Sequence, residues 1–422
     1  MRSPSLSARI GIGLLSGLLL GILASLGGWT ELVRLWVLPW GTLFLNGLKL
    51  VAAPLIVCSV LSSFASSAGW PRFGVRVVLG FLASTATAVT LGLTLCALWG
   101  PGRDLDPTAR QALLDRYGGE AQQRAEQVRA DREQSFVEAI AHMVPDNFAA
   151  ALSDNRAMLE LVVAVLVFGL ALSTVPRRHT ENLRAFLEGL EALLLKLVQL
   201  LLHVAPLGVL ALMAALVVDV AGSSLNRLLA LLKALAGYAG VLAFGFAGML
   251  VLYALALTIG SPLGWRRFWR AFRPAMLVAF STSSSAATLP VTLERCEREL
   301  MIPQPISRFA LPLGATMHMD GTALYQAVAA LFIAQVLGAE LGLADYLRLG
   351  LLVLLISVGT APVPGAGVVM LVLVLEYLDL PSESVALILG IDRLVNMCRT
   401  VLNVTGDAVV ATLVAFPRRS AD

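Results

Sequence analysis

The chain has 422 residues, of which 58% are hydrophobic and only 14% are charged, with a formal net charge of +3. Charged residues make up about a quarter of a typical soluble chain, so this composition excludes an ordinary soluble protein and predicts an integral membrane protein. The small charge and the scattered basic residues do not suggest a nucleic-acid partner. The four cysteines form no CxxC pair, so neither a zinc site nor a disulfide framework is predicted.

Long apolar stretches predict the membrane-spanning helices. The first stretch follows two arginines, as in a signal peptide, but it leads through Trp29 into a second apolar stretch, so we expect an uncleaved first helix. The predicted fold is an all-α polytopic membrane protein with eight transmembrane helices and two re-entrant helical hairpins. The spans lie near 10–28, 35–65, 75–99, 157–175, 188–218, 229–259, 308–337 and 384–416.

Arginines in the short loops predict the orientation of these spans. They fall on one side of the membrane, which the positive-inside rule makes the cytoplasmic side, so both termini are expected to be cytoplasmic in a plasma (inner) membrane protein. The polar stretch 101–141 then lies outside, as a solvated loop with short helices or, alternatively, as a partner-binding module. The arginines are Arg2, Arg9, Arg72, Arg76, Arg177, Arg178, Arg184, Arg266, Arg267, Arg270, Arg273, Arg418 and Arg419.

Two clusters rich in Ser, Thr, Gly and Pro interrupt the apolar sequence at 281–290 and 357–367, and a milder interruption lies at 314–322. Hydrocarbon offers no hydrogen-bond partners, so irregular backbone at membrane depth survives only where it is buried in protein or lines an aqueous site. Two such interruptions in matching positions are typical of the binding site of a secondary transporter. Each lies midway through an apolar segment long enough for a re-entrant hairpin whose tip faces the substrate.

Three ionisable residues stand within apolar sequence after residue 300: Asp320, Arg399 and Asp407. Such residues are costly in a membrane and indicate function. A guanidinium offers a planar fork to a carboxylate, whereas a carboxylate among carbonyl oxygens suits a hard cation. Mutual pairing of Arg399 and Asp407 is the alternative, but eight residues span about 12 Å along a helix, too far for contact. Residues 396, 399, 400, 403 and 407 share one helix face.

These motifs, in this order, resemble the dicarboxylate/amino acid:cation symporter family, the glutamate-transporter-like carriers. The resemblance is strong from about 276 to 416, weaker in the first 100 residues, and includes Met143-Val144-Pro145-x-Asn147. Its other motifs are Thr288-Leu289-Pro290 after the serine cluster, Gly314-Ala315-Thr316-x-x-Met319-Asp320-Gly321-Thr322, Pro364-Gly365-Ala366-Gly367, and Arg399-Thr400-x-x-Asn403-Val404-Thr405-Gly406-Asp407.

The resemblance implies inverted repeats, a homotrimer, and a division between scaffold and mobile transport unit. Residues 1–259 would mainly form scaffold and trimerisation helices, with 75–99 belonging to the transport unit. Residues 260–416 would form the transport core with its two hairpins, and 417–422 a cytoplasmic tail.

The resemblance also implies the site residues. Arg399 would hold the distal carboxylate of the substrate. One cation would bind Asp407 and the carbonyls of Gly314, His318 and Asn403. A second would bind the carbonyls of Ser357, Val358 and Thr360, together with Thr316 and Met319. A third would bind Asp320, Ser84 and Thr85. The implied substrate residues are Ser283, Ser285, Met319, Thr322, Val363, Gly367, Asn396, Arg399, Thr400 and Asn403.

Three residues depart from the family pattern. Asn396 stands where amino-acid carriers place an aspartate that pairs with the substrate ammonium. His318 replaces a usual asparagine beside Asp320, and Pro362 replaces a glycine at the second hairpin tip. The first departure argues against an amino-acid substrate, and the second weakens the third cation site.

The predicted function is import of an acidic substrate with sodium, and C4-dicarboxylates such as succinate, fumarate or malate are favoured. A glutamate/aspartate symporter, driven by sodium or by protons, is the alternative. An anion channel is the alternative from another class, although two carboxylates suit an anion filter poorly. No HExxH, GxSxG or Walker motif occurs, so an enzyme is not predicted. No cofactor is expected beyond the coupling ion, Na⁺ or H⁺.

Overall fold

The computed structural model describes residues 6–66, 73–103, 145–153, 158–220, 225–339, 341–360, 362, 365–378 and 380–417. All regular structure in these ranges is helical. The helices are α1 Leu6–Gly27, α2 Leu38–Ser66, α3 Gly74–Trp99, α4 Phe148–Ser153, α5 Met158–Thr174, α6 Arg177–Val220, α7 Leu225–Gly260, α8 Gly264–Thr282, α9 Ser285–Glu294, α10 Gln304–Met317, α11 Asp320–Val336, α12 Leu343–Val358, α13 Ala366–Tyr377 and α14 Ala386–Ala415. Short helical segments precede α2 (Thr30–Leu32 and Val33–Val37), follow α9 (Arg295–Glu299) and precede α14 (Ser382–Val385).

Several helices have the length and composition of membrane spans. Four qualify individually among the described residues, and a bent pair within α6, with an angle of 50° between its halves, makes a fifth. α1 and α5, predicted near 10–28 and 157–175, contain shorter apolar helices. The count of eight therefore stays a prediction. The four are Thr30–Ser62, Gly74–Trp99, Leu232–Gly260 and Ile391–Ala415, and the bent pair is Arg177–Leu201 with His203–Val218.

Large apolar side chains cover the outside of these helices. Leu50 and Leu98 are 75% and 80% exposed, and Trp36 and Trp40 also point outward. A contiguous apolar exterior suits hydrocarbon, not water. The predicted polar loop at 101–141 lies outside the described residues except for its first three, and the tail lies outside them after residue 417.

The stretch predicted as one span near 308–337 is two helices. α10 ends at Met317, the backbone of His318 and Met319 is extended, and α11 begins at Asp320. The milder interruption predicted at 314–322 is thus a complete break, and the prediction of one full-length span was wrong in that respect. The cause is distant in sequence: the side chain of Asn403 accepts hydrogen bonds from the backbone N–H groups of Gly321 (2.8 Å) and Thr322 (3.4 Å), which stabilises a helix start inside the protein.

The helices pack in two groups. α1 and α2 lie along α6, and α5 packs on α2. The second group surrounds α11, whose residues are all buried, and α14; it contains α3, α7 to α10, α12 and α13. α3 thus packs with the late helices. α7 also packs with the late helices. The sequence analysis instead assigned residues 1–259, which include nearly all of α7, mainly to the scaffold.

Glycines allow the close approach of α1 to α6. Gly13, Gly17 and Gly21 recur every four residues on α1, and at the first two a Cβ would collide with the backbone of Pro206 and Leu210. Small residues at this spacing let helix backbones meet in membranes, where apolar burial against lipid provides little driving force.

Each predicted hairpin consists of two helices that pack on each other, α8 with α9 and α12 with α13. The first turns at Ser283 and the second between Val358 and Ala366. The two turns meet, because the Ser284 hydroxyl donates a hydrogen bond of 2.8 Å to the carbonyl oxygen of Pro362.

An ion pair connects the two helix groups. Lys49 Nζ of α2 lies 2.7 Å from Glu376 Oε1 of α13, and both side chains are largely buried, with 24% and 17% exposure. Lys49 lies within the Thr30–Ser62 candidate span, where an ionised side chain needs a partner.

Replacing Lys49 by Met leaves the Glu376 carboxylate without its cation, so we expect the free energy of unfolding to fall by roughly 1–3 kcal/mol. The apparent melting temperature in detergent measures this loss. The charge exchange Lys49→Glu with Glu376→Lys should recover most of it, and Lys196→Met, which removes an exposed lysine from α6, serves as the matched control. Equal melting temperatures for Lys49→Met and wild type would show that the pair contributes nothing to stability.

Candidate substrate and cation site

The two hairpin turns, the start of α11 and the middle of α14 enclose a small polar cavity, which we name the tip cavity. Its volume is about 20 Å³, which is room for about one water molecule, so a larger ligand requires these elements to move apart. Nine of the ten predicted substrate residues line it, and the tenth, Val363, lies outside the described residues. The lining residues are Ser283, Ser285, Met319, Thr322, Thr360, Pro362, Gly367, Asn396, Arg399, Thr400 and Asn403.

The first hairpin turn presents a hydroxyl to the cavity. Ser283 adopts a left-handed backbone conformation with φ of 53°, which is uncommon for a residue other than glycine, and it ends α8. Ser284 then caps α9 by accepting from Ala287 N at 3.2 Å. The Ser283 hydroxyl is buried and has no hydrogen-bond partner in the described part of the chain. A buried polar group needs a partner, and a ligand in the cavity would provide one.

The second hairpin turn brings a helix start to the cavity. Gly365, with φ of 89°, precedes α13, and Gly367 follows one residue inside the helix. A Cβ at Gly367 would collide with the guanidinium of Arg399, so the absent side chain makes room for that group. The first N–H groups of a helix favour anions.

Arg399 carries the positive charge of the site. Its Nε donates to Asn396 Oδ1 at 2.7 Å, its guanidinium lies 4.8 Å from the centre of the Tyr325 ring, and Nη1 has no hydrogen-bond partner among the described residues. The nearest carboxylate is Asp392, 3.9 Å from Nη1. Of the described residues that line the tip cavity, Arg399 alone is ionisable. The cavity therefore offers an anionic group a guanidinium whose Nη1 makes no hydrogen bond and whose one carboxylate neighbour, Asp392, does not line the cavity.

Asp392 was missed by the sequence analysis. It lies four residues before Asn396 and seven before Arg399, so it extends the polar stripe of α14 by one turn. That spacing was the available signal.

Behind the cavity, three hydroxyl donors and one imidazole nitrogen surround the carboxylate of Asp320. Thr85 donates to Oδ1 at 2.7 Å, Tyr253 donates to Oδ2 at 2.5 Å, Ser84 also donates to Oδ2, and His318 Nε2 lies 3.0 Å from Oδ1. We name these five residues and Asp407 the carboxylate cluster. The predicted partners Ser84 and Thr85 thus contact Asp320; Tyr253 was missed, and nothing in its local sequence marks it.

His318 joins the two carboxylates of the cluster. Its Nδ1 lies 2.8 Å from Asp407 Oδ1, while Nε2 faces Asp320, and all three side chains are buried. The ring stacks on Phe81 with centroids 4.3 Å apart. Gly314 approaches Asp407 so closely that a Cβ would collide with its carboxylate. The structure therefore brings together Gly314, His318 and Asp407 of the first predicted cation group.

The second predicted cation group lies beside the tip cavity. Ser357, Val358 and Thr360 are buried at the end of α12, and Met319 and Thr360 line the cavity itself. The hydroxyls of Thr316, Ser357 and Thr360 bond to carbonyls of their own helical turns, to Leu313, Leu354 and Ile356 respectively. The oxygen ligands that this region can offer a hard cation are therefore the backbone carbonyls near the end of α12.

Comparison with known proteins identifies the family. The sodium:dicarboxylate symporter family matches residues 6–416. The chain belongs to this family. It is 32% identical over 419 residues to a proton/sodium-glutamate symport protein of Bacillus subtilis, a match that covers 97% of this chain and 92% of that protein.

Other relatives differ in their named substrates. The chain is 30% identical over 384 residues to the proton/glutamate-aspartate symporter of Escherichia coli, with 89% of this chain and 84% of that protein covered. It is 32% identical over 402 residues to the neutral amino acid transporter B(0) of Oryctolagus cuniculus, with 88% and 72% covered. The resemblance inferred from the motifs is confirmed: the protein is a multi-pass, cation-coupled symporter and not an enzyme.

Gly367→Ala tests the geometry of the tip cavity. The added methyl group would displace the guanidinium of Arg399, so we expect the affinity for an acidic substrate to fall about tenfold or more, equivalent to about 1.4 kcal/mol. Binding to purified protein measures this loss. Gly350→Ala on α12 is the matched control, because its Cβ would meet only ordinary contacts at 3.5 and 3.6 Å. Equal affinities for both variants would contradict the geometry.

Proposed function

We propose that this protein imports a small acidic substrate, that Arg399 binds one substrate carboxylate, and that the tip cavity is the binding site. The observation that carries the proposal is that a buried guanidinium, whose Nη1 makes no hydrogen bond and lies 3.9 Å from Asp392, is the one ionisable group lining the cavity in the described chain. A substrate carboxylate satisfies that donor and neutralises the charge. The hydroxyl of Ser283 and the start of α13 supply further donors.

Glutamate or aspartate is the first candidate substrate, because those names recur among relatives that align over most of the chain. Identity near 30% does not decide the substrate, since a neutral amino acid transporter is equally similar. The positive charge of Arg399 favours an acidic substrate over a neutral amino acid.

A C4-dicarboxylate without an amino group is the second candidate, and Asn396 favours it. The oxygen of its amide accepts from Arg399 Nε, so the remaining polar group of that side chain is a donor. An ammonium group in the tip cavity would face no carboxylate among the lining residues, and an unpaired buried charge is unfavourable.

The remaining parts of the proposal follow the resemblance. The carrier is a homotrimer in the plasma (inner) membrane with both termini cytoplasmic, with eight spans, two re-entrant hairpins and inverted repeats. α1, α2, α5 and α6 form the scaffold, and the second helix group, including α3 and α7, forms the transport unit; the packing supports this division. Sodium binds at Asp407 and at the carbonyls of residues 357–360, and proton coupling is the alternative that two relatives' names support.

Arg399→Ala tests the substrate class. The variant lacks the charge that binds the substrate carboxylate. Removing one member of a buried charge pair costs about 3–5 kcal/mol, which lowers the affinity by about two to three decades. Uptake of labelled aspartate and succinate into proteoliposomes should be abolished. Arg308→Ala, which removes an arginine that is 66% exposed on α10, should leave uptake intact. Retained high-affinity binding of either diacid by correctly assembled Arg399→Ala protein would refute the proposed role.

Asn396→Asp distinguishes the two candidates. A carboxylate at this position would pair with a substrate ammonium and repel a second substrate carboxylate, so the ratio of aspartate to succinate affinity should rise about tenfold or more. Competition binding measures the ratio. Asn147→Asp, which keeps an acceptor at an exposed helix cap, is the matched control. If wild-type protein already prefers aspartate by that margin, the dicarboxylate candidate is wrong.

A further inference from the structure

Three hydroxyl donors and one imidazole nitrogen lie against the carboxylate of Asp320. An ionised carboxylate has about four lone-pair positions. Thr85 and His318 face Oδ1, while Ser84 and Tyr253 face Oδ2, so each oxygen has two neighbours. The residue is 0% exposed.

This arrangement leaves no room for a cation beside Asp320. A hard cation such as Ca²⁺ lies about 2.3–2.6 Å from each of its six to eight oxygen ligands, so the ligand oxygens must point toward one shared centre. The hydroxyls of Thr85 and Tyr253 instead contact the carboxylate oxygens directly, at 2.7 and 2.5 Å. The predicted ligands Ser84 and Thr85 are therefore hydrogen-bond donors to Asp320 and do not form a shell around an ion.

The His318 ring fills the space between the two carboxylates. Its nitrogens lie 2.8 Å from Asp407 and 3.0 Å from Asp320, and Phe81 covers one face of the ring. Gly406 makes the ring position possible, because a Cβ there would lie 2.8 Å from Cε1 of His318. An imidazole is thus built into the place where two neighbouring carboxylates would otherwise require a cation.

We infer that the His318 side chain takes the place of one coupling ion in this protein. Asp320 with Ser84 and Thr85 is not a sodium site here, and the carrier binds one sodium ion fewer than the same chain with asparagine at position 318. This inference rests on the proposed function, since it concerns the ions that accompany the acidic substrate.

The number of sodium ions linked to substrate binding tests the inference. In purified protein, the slope of the logarithm of substrate affinity against the logarithm of sodium concentration reports how many ions bind with the substrate. His318→Asn opens the space beside Asp320, so the slope should rise by about one ion relative to wild type. His203→Asn, which changes an exposed histidine on α6, should leave the slope unchanged.

Asp320→Asn, made in both backgrounds, decides where the additional ion binds. In the wild-type background it should leave the sodium slope unchanged, whereas with His318→Asn it should remove the gained ion. Monodisperse trimers on size-exclusion chromatography show which variants fold. If Asp320→Asn does not fold, Tyr253→Phe combined with His318→Asn replaces it, because loss of that donor frees Oδ2 and should strengthen sodium binding.

The outcomes distinguish failure of this inference from failure of the proposed function. Equal slopes for wild type and His318→Asn, including the case in which neither depends on sodium, overturn the inference. So does a wild-type slope that falls in Asp320→Asn. Failure of wild-type protein to bind any acidic substrate, at any sodium concentration or pH, overturns the proposed function instead.

Discussion

Hydrocarbon supplies no hydrogen-bond partners, so every helix break in this protein depends on groups supplied by other parts of the chain. Asn403 of α14 accepts from the N–H groups that begin α11. Ser284 caps α9 and also donates to Pro362, so the first hairpin turn supports the second. These hydrogen bonds keep three irregular segments close to the middle of α14, and the tip cavity lies between those segments.

α14 can supply these partners because its polar residues lie on one face. Arg399 and Asp407 are separated by eight residues, or about 12 Å, along that face. The guanidinium therefore serves the tip cavity while Asp407 belongs to the carboxylate cluster, and the two opposite charges do not neutralise each other. Asn396 and Asn403 carry no charge, and the carboxylate nearest to Arg399 is Asp392, one turn before Asn396 on the same face.

Local patterns in the sequence were sufficient to predict the hairpins and the polar stripe, whereas most of the residues that surround the cavity were predicted from the family resemblance. Clusters of Ser, Gly and Pro indicate irregular backbone wherever they occur, and helical spacing places residues 396 to 407 on one face. Features that depend on distant pairs were not predictable in this way. The break after Met317 requires Asn403, the contact of Tyr253 with Asp320 joins α7 to α11, and the Lys49–Glu376 ion pair joins α2 to α13.

The position of the break between α10 and α11 connects the two halves of the site. His318 and Met319 are consecutive, yet the first contacts both carboxylates and the second lines the tip cavity. Thr322, one turn further on, also lines the cavity, and its hydroxyl accepts from Asn403 Nδ2 at 3.2 Å. A substrate that shifts Thr322 or Met319 therefore acts on the same short segment that positions His318 and Asp320. Under the proposed function, binding at the two places would bias one structural element, which is the physical condition for coupling between them.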